Sequence, residues 1–189
     1  KVGGWVLSYA SYRLADRIHV ATRDDKKILE KRFRVPAYKV HVQPNWIDAQ
    51  AFSPPYREDE REDTVLFVGR FAKQKNLPLL IDAISGTDLS LTIVGSGPDE
   101  KKVREQIKVT GIEAKIMTGI PNSSMPALYQ RCAIYVICSR FEGNPKTLLE
   151  AMACGCAVIG TNVKGVNELI QHEKNGILVE ENVSSLRDA

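Results

Sequence analysis

The stretch AIYVICSRFEGNPKTLLEAMACGCAVIGTN, residues 133–162, decides the fold. Ala133 to Ser139 is a continuous apolar run, and Ala157 to Asn162 is a second. Between them lie a turn containing Gly143 and Pro145 and a helical run that opens near Asn144. Strands apolar on both faces and joined through a helix belong to a parallel sheet covered on both sides. Asn144 suits the N-cap and Pro145 the first helical position, so the amides of Lys146, Thr147 and Leu148 are expected to point out of the helix end without partners. A phosphate satisfies such amides. Glu142 then lies in the loop before the helix and Glu150 about one and a half turns inside it. This spacing separates two carboxylates along a ligand instead of pairing them on one atom. A diphosphate flanked by two hydroxyl-bearing rings fits, which points to a sugar nucleotide.

Working outward, the same alternation continues on both sides. TVLFVG (64–69), LTIVG (91–95) and AKIMTG (114–119) read as strands, each followed by a helix, over 76–84, 99–109 and 125–131. Beyond Asn162, a helix is expected near Gly165 to Gln171 and a last strand at GILVE, 176–180. Six strands of this kind predict an α/β fold, a Rossmann-like doubly wound parallel sheet. In its common order, 3-2-1-4-5-6, the reversal falls between the first and fourth strands. The loops after those strands therefore meet at one crevice. One is GRFAKQKN, with Gly69, Arg70, Lys73 and Lys75; the other is SRFEGNP, with Glu142, Gly143, Asn144 and Pro145. Hydrogen bonds to a charged group contribute about 1.5 to 3 kcal/mol each, so three or four of them support micromolar to millimolar binding of a diphosphate. An isolated pair of basic residues reads as a solvated loop, but placement after a buried strand favours a ligand. Glu150 sits among Leu148, Leu149, Ala151, Met152 and Ala153, where a carboxylate needs a partner. The glycines of VGSGPDE read as a tight turn lining the crevice, since the third glycine of a dinucleotide fingerprint is missing. No paired-aspartate motif follows a strand, so no metal is expected, and charge on a leaving diphosphate falls to Arg70, Lys75 and the helix end.

Before this region, RIHVAT (17–22), a charged helix from Asp24 to Phe33 and VHVQPN (40–45) read as strand, helix and strand, and residues 1–16 as a helix. Lys26, Lys27, Lys31, Arg32 and Arg34 crowd the charged helix, which reads first as a solvated face and second as a surface for an acidic membrane. Residues 46–63, rich in proline and charge, read as a hinge or linker that separates residues 1–45 from a ligand-binding domain at 64–189.

Composition sets the outer limits. The 189 residues are 43% hydrophobic and 26% charged, as in an ordinary soluble globular protein. A formal charge of +3, from 26 basic and 23 acidic residues, gives no reason to expect nucleic acid as a partner. The four cysteines, Cys132, Cys138, Cys154 and Cys156, lack CxxC spacing and a histidine cluster, and read as reduced structural residues in a reducing, cytoplasmic compartment. His19, His41 and His172 are scattered and read as structural or exposed. No apolar run reaches the roughly 18 residues of a membrane span. The chain opens on Lys1, not methionine, and is expected to begin inside a longer protein.

VGRFAKQKNLPLLIDAI (68–84), LTIVGSGP (91–98) and FEGNPKTLLEAMACGCAVIGTNVKGVNELI (141–170) together resemble the retaining GT-B glycosyltransferases of family 4, also described as glycosyl transferases group 1. The similarity runs from about Ala15 to the C-terminus, with residues 1–45 resembling the last part of an acceptor domain. The resemblance implies that Arg70 and Lys75, with the Thr147 and Leu148 amides, bind the donor diphosphate. It implies that Glu150 holds the ribose hydroxyls, and that Glu142 with the Gly143 to Pro145 backbone holds the donor sugar. Ile116 and Met117 would lie near the base. The implied reaction is transfer of a sugar from a UDP-, GDP- or ADP-sugar to a glycan, lipid-linked or small-molecule acceptor, with retention at the anomeric carbon and no cofactor. Arg70, Lys75 and Glu142 would carry the chemistry. The compartment read from the cysteines is cytoplasmic, with peripheral contact at a membrane only as the second reading of the basic helix. Asn144 and Trp46 stand where that family commonly has an apolar residue and a glycine, respectively. With most of the acceptor domain and the C-terminal returning helix missing, the chain alone is expected to bind donor weakly and transfer little. A non-catalytic sugar-nucleotide-binding module and a related GT-B nucleotide-sugar epimerase or phosphorylase are the alternatives.

Overall fold

The computed structural model describes residues 10–56 and 61–189, which fall into two compact units, Lys1–Asn45 and Trp46–Ala189. In the first unit, β1 (Ile18–Val20) and β2 (Val40–Val42) pair in parallel, connected by α1 (Arg23–Arg32). The Thr22 hydroxyl caps α1 by accepting from the Asp25 amide at 3.0 Å; Asp24 and Asp25 occupy its first turn, Lys31 and Arg32 its last. Each charge thus complements the helix dipole. Leu29, Val35 and Val40 form the small core, against which Tyr12 and Phe33 pack edge to face. Of the helix expected over residues 1–16, residues 10–14 are helical, and residues 1–9 lie outside the described residues.

The second unit is built on a six-stranded parallel sheet. Its strands are β3 (Glu62–Val68), β4 (Ser90–Val94), β5 (Ala114–Met117), β6 (Cys132–Ile137), β7 (Ala157–Thr161) and β8 (Ile177–Val179), in the order β5-β4-β3-β6-β7-β8. Counted within the unit this is 3-2-1-4-5-6, the order expected from the sequence. The two-residue period of the strands sorts side chains between two cores. Val65, Phe67 and Val136 face one side, with α2 (Leu77–Ile84), α3 (Glu100–Thr110) and α6 (Val183–Asp188). Leu66, Tyr135 and Ile137 face the other, with α4 (Met125–Arg131) and α5 (Lys146–Ala153).

Several boundaries differ from the sequence reading. The helix expected near Gly165 to Gln171 is a run of turns, with Ile170 N–H donating to Val166 O at 3.0 Å. The Asn175 side chain ends it, accepting from Gln171 N–H at 2.7 Å and donating to Leu169 O at 3.1 Å. Helix α6 was not expected; Asn182 caps it, and Arg187 closes the end of α2 by donating to the carbonyls of Asp82, Ala83 and Ser85. The helix α5 starts one residue late: its cap is Pro145 and its first residue Lys146, with Asn144 outside. Its far end is a Schellman closure around Gly155, in which Cys156 N–H donates to Ala151 O and Gly155 N–H to Met152 O, both at 3.0 Å. The proline-rich stretch also has structure. Phe52 is buried in the core beside Tyr129, and β3 already begins at Glu62. All four cysteines are buried free thiols.

Candidate functional site

The site is assembled where β3 and β6 lie side by side at the centre of the sheet and their following loops diverge. The β3 loop is fastened to the β4 loop: Gly69 N–H donates to Val94 O and Phe71 N–H to Ser96 O, both at 2.9 Å. This approach is too close for side chains. A Cβ on Gly95, whose φ is +144°, would lie 2.0 Å from Gly69 O, and one on Gly97 would lie 2.4 Å from Phe71 O. The glycines read from the sequence as a tight turn are therefore what lets the two loops stack.

The β3 loop is equally fastened to the β6 loop. Arg140 N–H donates to Gln74 O at 2.8 Å, the Gln74 side chain returns a bond to Phe141 O at 2.8 Å, and the Cys138 thiol lies 3.3 Å from the carbonyls of Lys75 and Asn76. Across this seam Lys75 Nζ donates to Glu142 Oε1 at 2.5 Å, and Ser139 Oγ donates to the same oxygen at 2.6 Å. The Glu142 side chain is only 8% exposed and that of Lys75 21%. Two predicted site residues 67 positions apart are thus joined by a largely desolvated, charge-assisted bond.

A third loop, after β7, closes the wall, and the sequence reading had missed it. Thr161 Oγ1 donates to Ser139 O at 2.5 Å, and Glu142 N–H donates to Lys164 O at 3.1 Å. Gly165, at φ +85°, lies so close that a Cβ would come within 2.3 Å of Gly143 O. The glycine after a lysine at the end of a strand was the available signal.

Behind Glu142 the first turn of α5 faces the same end of the sheet. The amides of Lys146 and Thr147 open the helix, whereas that of Leu148 already donates to Pro145 O at 3.2 Å, a tightened first turn that uses one of the three amides expected to be unpaired. Leu148 itself is fully buried in the core. Tyr135 Oη donates to Thr147 Oγ1 at 2.8 Å, and Tyr129 Oη donates to Glu150 Oε2 at 2.9 Å. Glu150 is 5% exposed, with Lys146 Nζ 3.9 Å from Oε1. Burial pushes its carboxyl above the ordinary carboxylate range, and the Tyr129 bond and the Lys146 charge oppose that rise. The partner that Glu150 was expected to need is therefore a buried tyrosine from α4.

On the other side of the β3 loop a cleft of about 720 Å³ is lined by Gly69, Arg70, Gly95, Gly97, Gly119 and Ile120, among others. Arg70 is exposed there, without an ion pair among the described residues. Met117 ends β5 nearby, and its carbonyl accepts from Gly95 N–H at 2.9 Å. Gly119 and Ile120, two and three residues later, line the cleft. Among the described residues no group of three or more His, Cys, Asp or Glu side chains could hold a metal ion, and no helix is long and apolar enough to cross a membrane.

The sequence that builds these loops matches a known family: the family model described as "Glycosyl transferases group 1" covers residues 48–189. The chain belongs to the glycosyl transferases group 1 family. Among curated members it is 34% identical, over 89% of its length and 48% of the relative's, to the N-acetylgalactosamine-N,N'-diacetylbacillosaminyl-diphospho-undecaprenol 4-alpha-N-acetylgalactosaminyltransferase of Campylobacter jejuni. It is 27% identical, over 94% and 50%, to the UDP-Gal:alpha-D-GlcNAc-diphosphoundecaprenol alpha-1,3-galactosyltransferase of Escherichia coli. The chain spans about half the length of these group 1 relatives. Solved structures confirm the GT-B fold. Sucrose-phosphate synthase from Thermosynechococcus elongatus aligns at a TM-score of 0.84 and 23% identity over 97% of this chain and 50% of that one. Anabaena HepE in complex with UDP and glucose aligns at 0.83 and 20% over 94% and 53%.

Proposed function

We propose that this chain is the donor-binding part of a glycosyltransferase that moves a sugar from a nucleoside diphosphate to an acceptor hydroxyl with retention at the anomeric carbon. The observation that carries the reading is the seam at the centre of the sheet, where Lys75, Ser139 and Glu142 join the β3 and β6 loops beside the cleft holding Arg70. Arg70 and Lys75 bind the diphosphate together with the amides that open α5. The Thr147 amide is better placed for this than that of Leu148, which already has a partner in Pro145. Glu150 accepts from the ribose hydroxyls, and Glu142 with the Gly143 to Pro145 backbone accepts from the sugar.

In the transfer, the bond between the anomeric carbon and the diphosphate oxygen breaks as the acceptor oxygen attacks from the same face. The acceptor proton passes to the departing phosphate oxygen. The charge that develops on the diphosphate is met by Arg70, Lys75 and the helix end, fixed dipoles and cations that need no reorganisation. Lys75 contributes by dividing its donors between Glu142 and the phosphate, since an ammonium has three. Several relatives carry names of transferases acting on undecaprenol-diphosphate-linked sugars, which favours a lipid-linked acceptor over free glycans and small molecules.

Calorimetric titration of the chain with UDP, GDP and ADP, beside an Arg70→Ala/Lys75→Ala variant, tests the reading. Binding of a nucleoside diphosphate that the variant loses supports it, whereas no binding by the folded chain refutes the donor site as placed. For the longer protein, free nucleotide together with a new glycoside supports transfer; an altered sugar still attached to nucleotide refutes it.

A further inference from the structure

Two tyrosines reach α5 from beneath, and neither was singled out in the sequence. Tyr129 is fully buried and Tyr135 is 1% exposed. Their hydroxyls end on Glu150 and Thr147, three residues apart and so on one face of the helix. The Tyr129 ring is itself fixed between Phe52 and Tyr135, with centroids 6.0 and 5.9 Å away. Its hydroxyl points at a carboxylate.

We propose that Tyr129 is a positioning residue that holds Glu150 as an acceptor for the vicinal hydroxyls of the donor's ribose, so that the chain selects ribonucleoside over deoxyribonucleoside diphosphates through a side chain that does not touch the ligand. This rests on the function proposed above. A carboxylate has about four acceptor positions. Tyr129 takes one on Oε2, and Lys146, 3.9 Å from Oε1, steadies the outer oxygen. The remaining positions accept O–H donors most strongly while the group is ionised, because protonation weakens the acceptor and turns one oxygen into a donor, and burial opposes ionisation. The Tyr129 bond therefore does two things at once: it sets the carboxylate's rotamer and it favours its charged form. Burial keeps the phenol protonated, so Tyr129 remains a donor throughout the accessible pH range.

The test is titration of the chain with UDP, GDP and ADP and with their 2′,3′-dideoxy counterparts, for wild type, Tyr129→Phe, Glu150→Gln and the double variant. Removing one hydrogen bond to a charged group corresponds to about a tenfold loss. In Tyr129→Phe the ribonucleotide should weaken about tenfold while the dideoxy affinity stays within about twofold, and loss of binding on acidification should begin at a higher pH. In the Glu150→Gln background, Tyr129→Phe should change nothing further. Equal weakening of both nucleotides, or unchanged discrimination in Tyr129→Phe, overturns the proposal and leaves Tyr129 a packing residue. Glu150→Gln, which keeps the Tyr129 ring and its contacts, gives an independent reading: ribose discrimination that survives it also overturns the proposal. A wild-type chain that binds nucleotide without preferring ribose overturns this inference alone; one that binds none overturns the proposed function with it.

Discussion

The Lys75–Glu142 bond can be tested on its own terms through a double-mutant cycle of Lys75→Ala and Glu142→Gln. Two unit charges near a protein surface attract by about 4 kcal/mol at 4 Å, before desolvation is subtracted. Here the contact is 2.5 Å and both groups are mostly shielded, but Lys75 keeps 21% exposure and Ser139 also donates to Glu142. The net coupling should therefore be about 1 to 3 kcal/mol, above an exposed pair and below the cost of orphaning a fully buried charge. Urea unfolding of the four proteins reads it directly. Lys75→Ala should destabilise more than Glu142→Gln, because it leaves a nearly buried carboxylate with Ser139 alone. On the function proposed above, Glu142→Gln should also release Lys75 for phosphate, so that UDP alone binds as well as or better than to wild type. A coupling within about 0.3 kcal/mol of zero would refute the claim that this bond joins the two loops. Weaker UDP binding in Glu142→Gln would refute the claim that Glu142 holds one of the Lys75 donors away from the phosphate.

Gly95→Ala should destabilise the chain by at least about 2 kcal/mol and abolish nucleotide binding, because its Cβ would lie 2.0 Å from Gly69 O and the β3 and β4 loops would have to part; unchanged urea midpoint and binding would contradict this. Phe52→Ala should cost about 3 to 5 kcal/mol on unfolding, as for a buried core aromatic, whereas a free tether at this position would give no change. Burial pushes the Cys132, Cys138 and Cys154 thiols up to about 12. The unfolded chain then loses thiol protons first, so stability should be fully present below about pH 8.5 and fall as pH rises from there, by up to about 1.4 kcal/mol per pH unit for each thiol; a flat urea midpoint between pH 7 and 10 would sink that account. The same thiols should resist alkylation until the chain unfolds.

How far the sequence could be read depended on how local each signal was. TVLFVG, LTIVG and AIYVICS are short apolar runs bounded by glycine or polar turns, and their strand character survives folding because each is flanked by its own helix. The expected helix near Gly165 to Gln171 failed because Asn175, which lies beyond it, bonds back to Leu169 and Gln171 and offers the chain a turn instead. Asn144 looked like a cap on propensity alone, yet the chain begins its helical bonds from Pro145, and the helix start moved by one residue. Arg61 lay inside the expected linker, but it donates to the carbonyls of Cys132 and Cys154 at 2.8 and 2.6 Å, at the ends of α4 and α5. These two partners are more than 70 positions away, and no local pattern announces them.

The sequence by itself determined the alternation of strands and helices and, given the common winding order of such sheets, the two loops that must meet where that order reverses. Those follow from periodicity, turn chemistry and the handed topology of parallel sheets, which act over a few residues or through general rules of connection. Only the tertiary structure decided that Lys75 is engaged by Glu142, that the β7 loop completes the wall, and that Glu150 is held by Tyr129. Each is a pairing of side chains brought together by packing, and burial makes such pairings specific: a charge or hydroxyl removed from water takes whichever partner the fold places beside it.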